Sequence, residues 1–158
     1  MPAWYDILTL DRSPDRESEA DIRRSTTLVE ALLQREKDRG IPADRIVLAG
    51  FSQGAAMALH AGLRHAEALA GLLVLSGYRV LPGHFEAERS DANRRTPILF
   101  AHGIYDPLLP VDLGREAHDF MKAQMPEADI RWHQFPIEHS VSEPEIETVA
   151  RWLADRFA

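Results

Sequence analysis

The chain of 158 residues contains no cysteine. That absence excludes disulfides, thiolate metal sites and cysteine nucleophiles together. No apolar run approaches the ~18 residues that a membrane helix needs. The opening residues Met1-Pro2-Ala3-Trp4-Tyr5-Asp6 lack the basic start and apolar stretch of a secretory signal, so a cytoplasmic location is the expectation. An excess of cations is missing too: Lys plus Arg number 18 against 25 Asp plus Glu, a net charge of −7. Nucleic-acid backbones and anionic lipid surfaces are therefore poor partners. No repeat, low-complexity tract or composition break divides the chain, and residues 1–158 read as a single domain. What is present, 45% hydrophobic and 27% charged residues, suits a globular chain with one core.

Ser18 with Asp21 three residues on is a weak capping-box pattern, and Ile22, Thr26, Val29 and Leu33 then share one helical face. Gly40 and Pro42 end that helix. Residues 46–50 form an apolar run without alternation, as in a strand covered by helices on both faces. The pattern predicts a helix over 53–64, strands at 72–75 and 98–101, and a helix over 113–125. A strand over 129–135 and a last helix over 144–157 complete the order. Residues 76–96 read as a long polar loop with one helical turn near 85–89, and residues 5–8 as a short extended piece. The sum is an α/β fold: an open, mostly parallel sheet with helices on both faces. Ligands of such sheets bind beyond the carboxyl ends of the strands, where Ser52, Ser76, His102, Asp106 and residues 136–139 fall.

Gly50-Phe51-Ser52-Gln53-Gly54 is a G-x-S-x-G pentapeptide directly between a strand and a helix. Chance in this composition supplies about 0.025 such matches. Such a turn strains the serine backbone and lifts its hydroxyl above the sheet. A Cβ at either flanking glycine is expected to collide with the neighbouring strand or helix. The hydroxyl needs a base, and the base an orienting carboxylate. Of the 7 histidines only His139 follows the last strand and precedes the last helix. For the acid, Asp106 ends the 98–101 strand and is held extended by Pro107, whereas the alternative, Asp112, reads as a helix N-cap. Tyr78, Leu81 and Phe85, with Leu108 and Leu109, are the side chains available to line an acyl groove. The nucleotide-binding and zinc-hydrolase signatures G-x-G-x-x-G, G-x-x-x-x-G-K-[ST] and H-E-x-x-H do not occur.

Trp4-Tyr5-Asp6-Ile7, Gly40-Ile41-Pro42, Arg45 to Ala55 (RIVLAGFSQGA), Leu75-Ser76, His102-Gly103 with Asp106-Pro107, and His139 with Val141 resemble one family. It is the phospholipase/carboxylesterase family of α/β-hydrolases, which includes the acyl-protein thioesterases. The resemblance runs over essentially the whole chain. It implies a serine hydrolase that acts on carboxylic esters or thioesters, small-molecule or lipid-like, without cofactor or metal. Ser52, Asp106 and His139 would be its triad, and the backbone N–H of Gln53 one oxyanion donor. Ala55 and Glu138 depart from the family, which often has glycine at both places; a carboxylate at Glu138 facing the ring would favour imidazolium. The family's extra opening segment of roughly 60 residues, with a His-Gly-Leu-Gly loop giving a second oxyanion N–H, has no counterpart here.

Losing one oxyanion donor costs about 10²–10³ in turnover. As the C-terminal two-thirds of the usual fold, the chain is thus expected to be a weak esterase. The alternative is an impaired remnant serving as an interaction or dimerisation module. The strand at 46–50 would also show one unpaired edge. A second copy in a symmetric homodimer, residues 5–8, or a segment absent from a fragment would cover it.

Overall fold

In the computed structural model, which describes residues 2–9 and 11–158, four parallel strands pair in sequence order. They are β1 (Val47–Phe51), β2 (Gly71–Leu75), β3 (Ile98–Gly103) and β4 (Ile130–Phe135). Phe51 pairs with Leu75, Leu75 with Ala101, and Gly103 with Phe135, so the carboxyl ends lie along one rim. Five α-helices accompany them: α1 (Glu19–Asp38), α2 (Gln53–Gly62), α3 (Phe85–Glu88), α4 (Val111–Gln124) and α5 (Glu143–Phe157).

Successive strand residues feed opposite layers, which is why the strands read as continuous apolar runs. Leu72, Val74, Ile98 and Phe100 pack with Val29 and Leu33 of α1, Leu59 of α2 and Met121 of α4. Leu73 and Leu99 face the other way, against Trp152 of α5.

Helix ends follow the local chemistry. The Ser18 hydroxyl accepts the Asp21 N–H at 3.3 Å and opens α1. Gly40, at φ +91°, closes it: its N–H donates to the Lys37 carbonyl and that of Ile41 to the Glu36 carbonyl. Asp112, expected as the cap of α4, lies inside its first turn instead. Pro110, at φ −49° and ψ 138°, holds the N-cap position, having no N–H to satisfy and a ring that fixes the turn.

Ser142 and Glu145 close a reciprocal capping box at α5, each bond 3.4 Å long. Glu145 is fully buried, and its Oε1 has no partner among the described residues. Burial pushes this carboxyl above its ordinary range, the backbone bond to Ser142 opposing it. A raised folded-state value means the folded chain holds the proton more tightly than the unfolded one. The stabilisation is complete at low pH and is lost as pH rises through that value. Glu145→Gln keeps the acceptor of the box and removes the charge. It should raise the melting temperature by a few degrees near neutral pH, the gain fading toward about pH 4. Thermal melts at the two pH values check this; an unchanged or lower neutral-pH melting point contradicts it.

The 76–96 stretch carries α3 as its helical turn, flanked by 3₁₀ turns at Pro82–His84 and Asp91–Asn93. Residues 5–8 contribute one antiparallel bridge, Ile7 to Glu17. Tyr5 is buried with Ile22, Ala56, Met57 and Leu109, over α1 and α2. Residues 5–8 therefore do not cover the sheet edge: among the described residues β1 pairs with β2 alone, and Ala49 and Phe51 are exposed. No described helix is long and apolar enough to cross a membrane.

Candidate active site

Ser52 is the single residue between β1 and α2, at φ 58° and ψ −122°. L-residues rarely adopt this region, and it persists only where the surroundings enforce it. Here the Ser52 N–H donates to the Leu75 carbonyl at 2.9 Å, and its carbonyl accepts the Ala56 N–H at 3.1 Å. A Cβ on Gly50 would lie 2.1 Å from the Gly54 carbonyl oxygen, so the strand must pass α2 at a glycine. The collision expected at both flanking glycines occurs only there. A Cβ on Gly54 would meet nothing nearer than Trp4 Nε1 at 3.6 Å, an ordinary contact. Gln53 anchors the N-terminal segment over the first turn of α2: its Nε2 donates to the Tyr5 carbonyl at 3.0 Å, and its Oε1 accepts the Trp4 N–H at 3.3 Å. At a helix start the first backbone N–H groups have no intrahelical acceptor, which leaves them for a developing anion.

His139 Nε2 lies 3.0 Å from Ser52 Oγ, and its Nδ1 lies 2.6 Å from Asp106 Oδ2. One tautomer satisfies both bonds: Nδ1–H donates to the carboxylate and Nε2 accepts the serine hydroxyl proton. The other Asp106 oxygen accepts the peptide N–H groups of Leu108 at 2.9 Å and Leu109 at 2.8 Å. Burial pushes the Asp106 carboxyl up; the Leu109 N–H, the His139 ring and the Leu108 N–H together outweigh it and hold the group below its ordinary range. The carboxylate that meets the imidazole is thus Asp106, while Glu138 is exposed. The Phe51 ring packs 4.7 Å from the His139 ring, centroid to centroid.

Three strand ends supply these groups, and the backbone ties two of the loops together. The Ile104 N–H donates to the Phe135 carbonyl at 2.9 Å and the Tyr105 N–H to the Ile137 carbonyl at 3.1 Å. A Cβ on Gly103 would sit 2.3 Å from the Glu138 carbonyl oxygen, so the His139 loop closes directly onto β3.

Other side chains considered from sequence lie elsewhere. His65 pairs with Glu30 at 2.9 Å, and His118 with Asp119 at 2.7 Å. Ser76 is buried at φ 49°, and its hydroxyl has no partner among the described residues. Tyr78 is buried with its hydroxyl 2.7 Å from that of Tyr5. It lines a cavity of about 190 Å³ beside Arg16, Glu17, Arg79 and Leu113, a set that includes none of Ser52, Asp106 and His139. Leu108 is exposed next to the acid. Tyr105, Phe51 and Val141, also exposed, join it as apolar surface near Ser52, Asp106 and His139 in the chain. Phe51 was open to inference, since the second position of G-x-S-x-G always adjoins the serine; the anchoring role of the Gln53 side chain left no pattern in the sequence.

The sequence profile of the phospholipase/carboxylesterase family matches residues 1–156. Acyl-protein thioesterase 1 of Yarrowia lipolytica is 34% identical over 156 residues, covering 98% of this chain and 69% of that protein. Acyl-protein thioesterase 1 of Neurospora crassa is 38% identical over 163 residues, covering 99% of this chain and 66% of that protein. The chain spans about two thirds of the length of these curated relatives. The crystal structure of Arabidopsis thaliana SOBER1 superposes with a TM-score of 0.88 at 25% identity, over 99% of this chain and 74% of that one. With a strained serine turn at the rim of a parallel sheet and these likenesses in sequence and structure, the chain belongs to the phospholipase/carboxylesterase family of α/β-hydrolases.

Proposed function

We propose that the chain cleaves carboxylic ester or thioester bonds through a covalent acyl-enzyme on Ser52. The hydrogen-bonded line from Ser52 Oγ through His139 to Asp106 is the observation that carries this reading. Ser52 Oγ attacks the acyl carbon as its proton passes to His139 Nε2. Asp106 stabilises the imidazolium that forms. The tetrahedral oxyanion faces the Gln53 N–H at the start of α2, a donor of a kind worth about 10²–10³ in turnover. His139 returns the proton to the departing alcohol or thiol, leaving the acyl group on Ser52. Water then repeats the attack with His139 as base, and the free acid departs. The names of the thioesterase relatives favour a thioester substrate. The exposed apolar side chains of Phe51, Tyr105, Leu108 and Val141 favour an acyl chain lying across the rim.

A fluorophosphonate probe tests the reading. It should label the wild type on the peptide that carries Ser52, as mapped by mass spectrometry, and leave Ser52→Ala unlabelled. A folded wild type that takes no label and does not hydrolyse p-nitrophenyl butyrate overturns the proposal in favour of a non-catalytic interaction module.

A further inference from the structure

The acid loop leaves the sheet at Gly103 and joins α4 only at Val111. Asp106 depends on it, because Leu108 and Leu109 supply both N–H groups on Oδ1. Leu108 itself is exposed and gives the loop no packing. The Leu109 side chain packs with Tyr5, Ile22 and Met57, and the polar tie on its backbone comes from His102. Its ring is buried, and its Nε2 lies 2.8 Å from the Leu109 carbonyl oxygen. Since a carbonyl can only accept, Nε2 carries the proton. Trp132 of β4 stacks on the ring at 6.2 Å and 22°. From the other element, α4 passes so close that a Cβ on Gly114 would lie 2.3 Å from Nδ1. Packing on these sides fixes the donor in place.

The charge state matters as much as the bond. His102 Nε2 is 3.7 Å from Asp106 Oδ2, the oxygen that holds His139. A second proton on His102 would put a cation beside that carboxylate, in competition with His139. Burial pushes the His102 imidazole below its ordinary range, against the Leu109 carbonyl and Asp106, and so keeps it neutral.

We infer that His102 is a positioning residue for the acid: a neutral donor that clasps Leu109, keeps two peptide N–H groups on Asp106 Oδ1 and leaves Oδ2 turned to His139. The inference rests on the triad reading above. His102→Leu should lower kcat on p-nitrophenyl butyrate by about 10- to 100-fold with KM within about twofold, because small misplacement of a catalytic group is costly. His102→Gln restores an N–H donor and should recover most of the loss. In an Asp106→Ala background, His102→Leu should change kcat by less than about twofold, as the clasp then has nothing to orient. Should the leucine variant fail to fold, Gly114→Ala presses on the ring from α4 and is read in the same two backgrounds.

A readout without turnover separates the two ideas. The downfield proton resonance of the His139 Nδ1–H bond to Asp106 should persist in wild type and His102→Gln and shift or vanish in His102→Leu. Wild-type kcat and an unmoved resonance in the leucine variant, equal losses in both backgrounds, or glutamine no better than leucine would each overturn the role of His102. A wild type that shows the resonance but takes no label on Ser52 overturns the hydrolase reading alone.

Discussion

Asp106→Asn should lower kcat for p-nitrophenyl butyrate by about 10⁴, the scale of losing the orienting acid in a serine-histidine-aspartate site. The asparagine oxygen takes over the Leu108 and Leu109 N–H groups, because they occupy only Oδ1. Its amide nitrogen then faces His139 Nδ1 at the place of Oδ2. An amide donates, so it selects the imidazole with the proton on Nε2. That tautomer has no lone pair for the Ser52 proton. Stability shifts as well. The Asp106 carboxyl is depressed in the fold, so its contribution is present above the unfolded-state value and is lost as pH falls through the folded one. The asparagine variant lacks that contribution at neutral pH and should converge on wild type in acid. Steady-state kinetics and melts across pH measure both effects; a loss smaller than about tenfold would show that the carboxylate is dispensable.

Gly50→Ala should cost at least about 3 kcal/mol of stability, the upper end of overpacking penalties. The added Cβ would lie 2.1 Å from the Gly54 oxygen, 2.2 Å from its carbonyl carbon and 2.5 Å from the Ala55 nitrogen. All three are backbone, so no side chain can rotate away, and either β1 or α2 has to move. The serine turn sits between them. A shift of about 1 Å there costs about 10² in turnover. Gly54→Ala is the control, since its Cβ has only a 3.6 Å neighbour and alanine favours the helix. Urea denaturation should place it within about 1 kcal/mol of wild type. Equal destabilisation by the two alanines would falsify the crossing described at Gly50.

The strands were legible because burial on both faces leaves an unmistakable run, as at Leu72, Leu73 and Val74. Ser52 was legible because a strained turn demands particular neighbours in the chain. Asp106 and His139 could be chosen by order along the chain, since in a parallel sheet every strand end reaches the same rim. Side-chain direction within loops was not legible. Nothing local distinguishes Tyr78, which turns inward to Tyr5, from Leu108, which stays outside. Nor could spacing show that Pro110 would displace Asp112 as the cap, or that Gly54 faces Trp4 with room to spare. Those outcomes depend on contacts between segments far apart in sequence.

Ser52, Asp106 and His139 follow β1, β3 and β4, while β2 runs between the first and second of them. The proposed hydrolysis would accordingly be a tripwire for the whole assembly: detachment of either outermost strand should silence it, even while the helices keep their circular-dichroism signal. In a denaturant titration the enzymatic signal should disappear no later than the helical one, which makes a simple colorimetric assay a gauge of tertiary integrity.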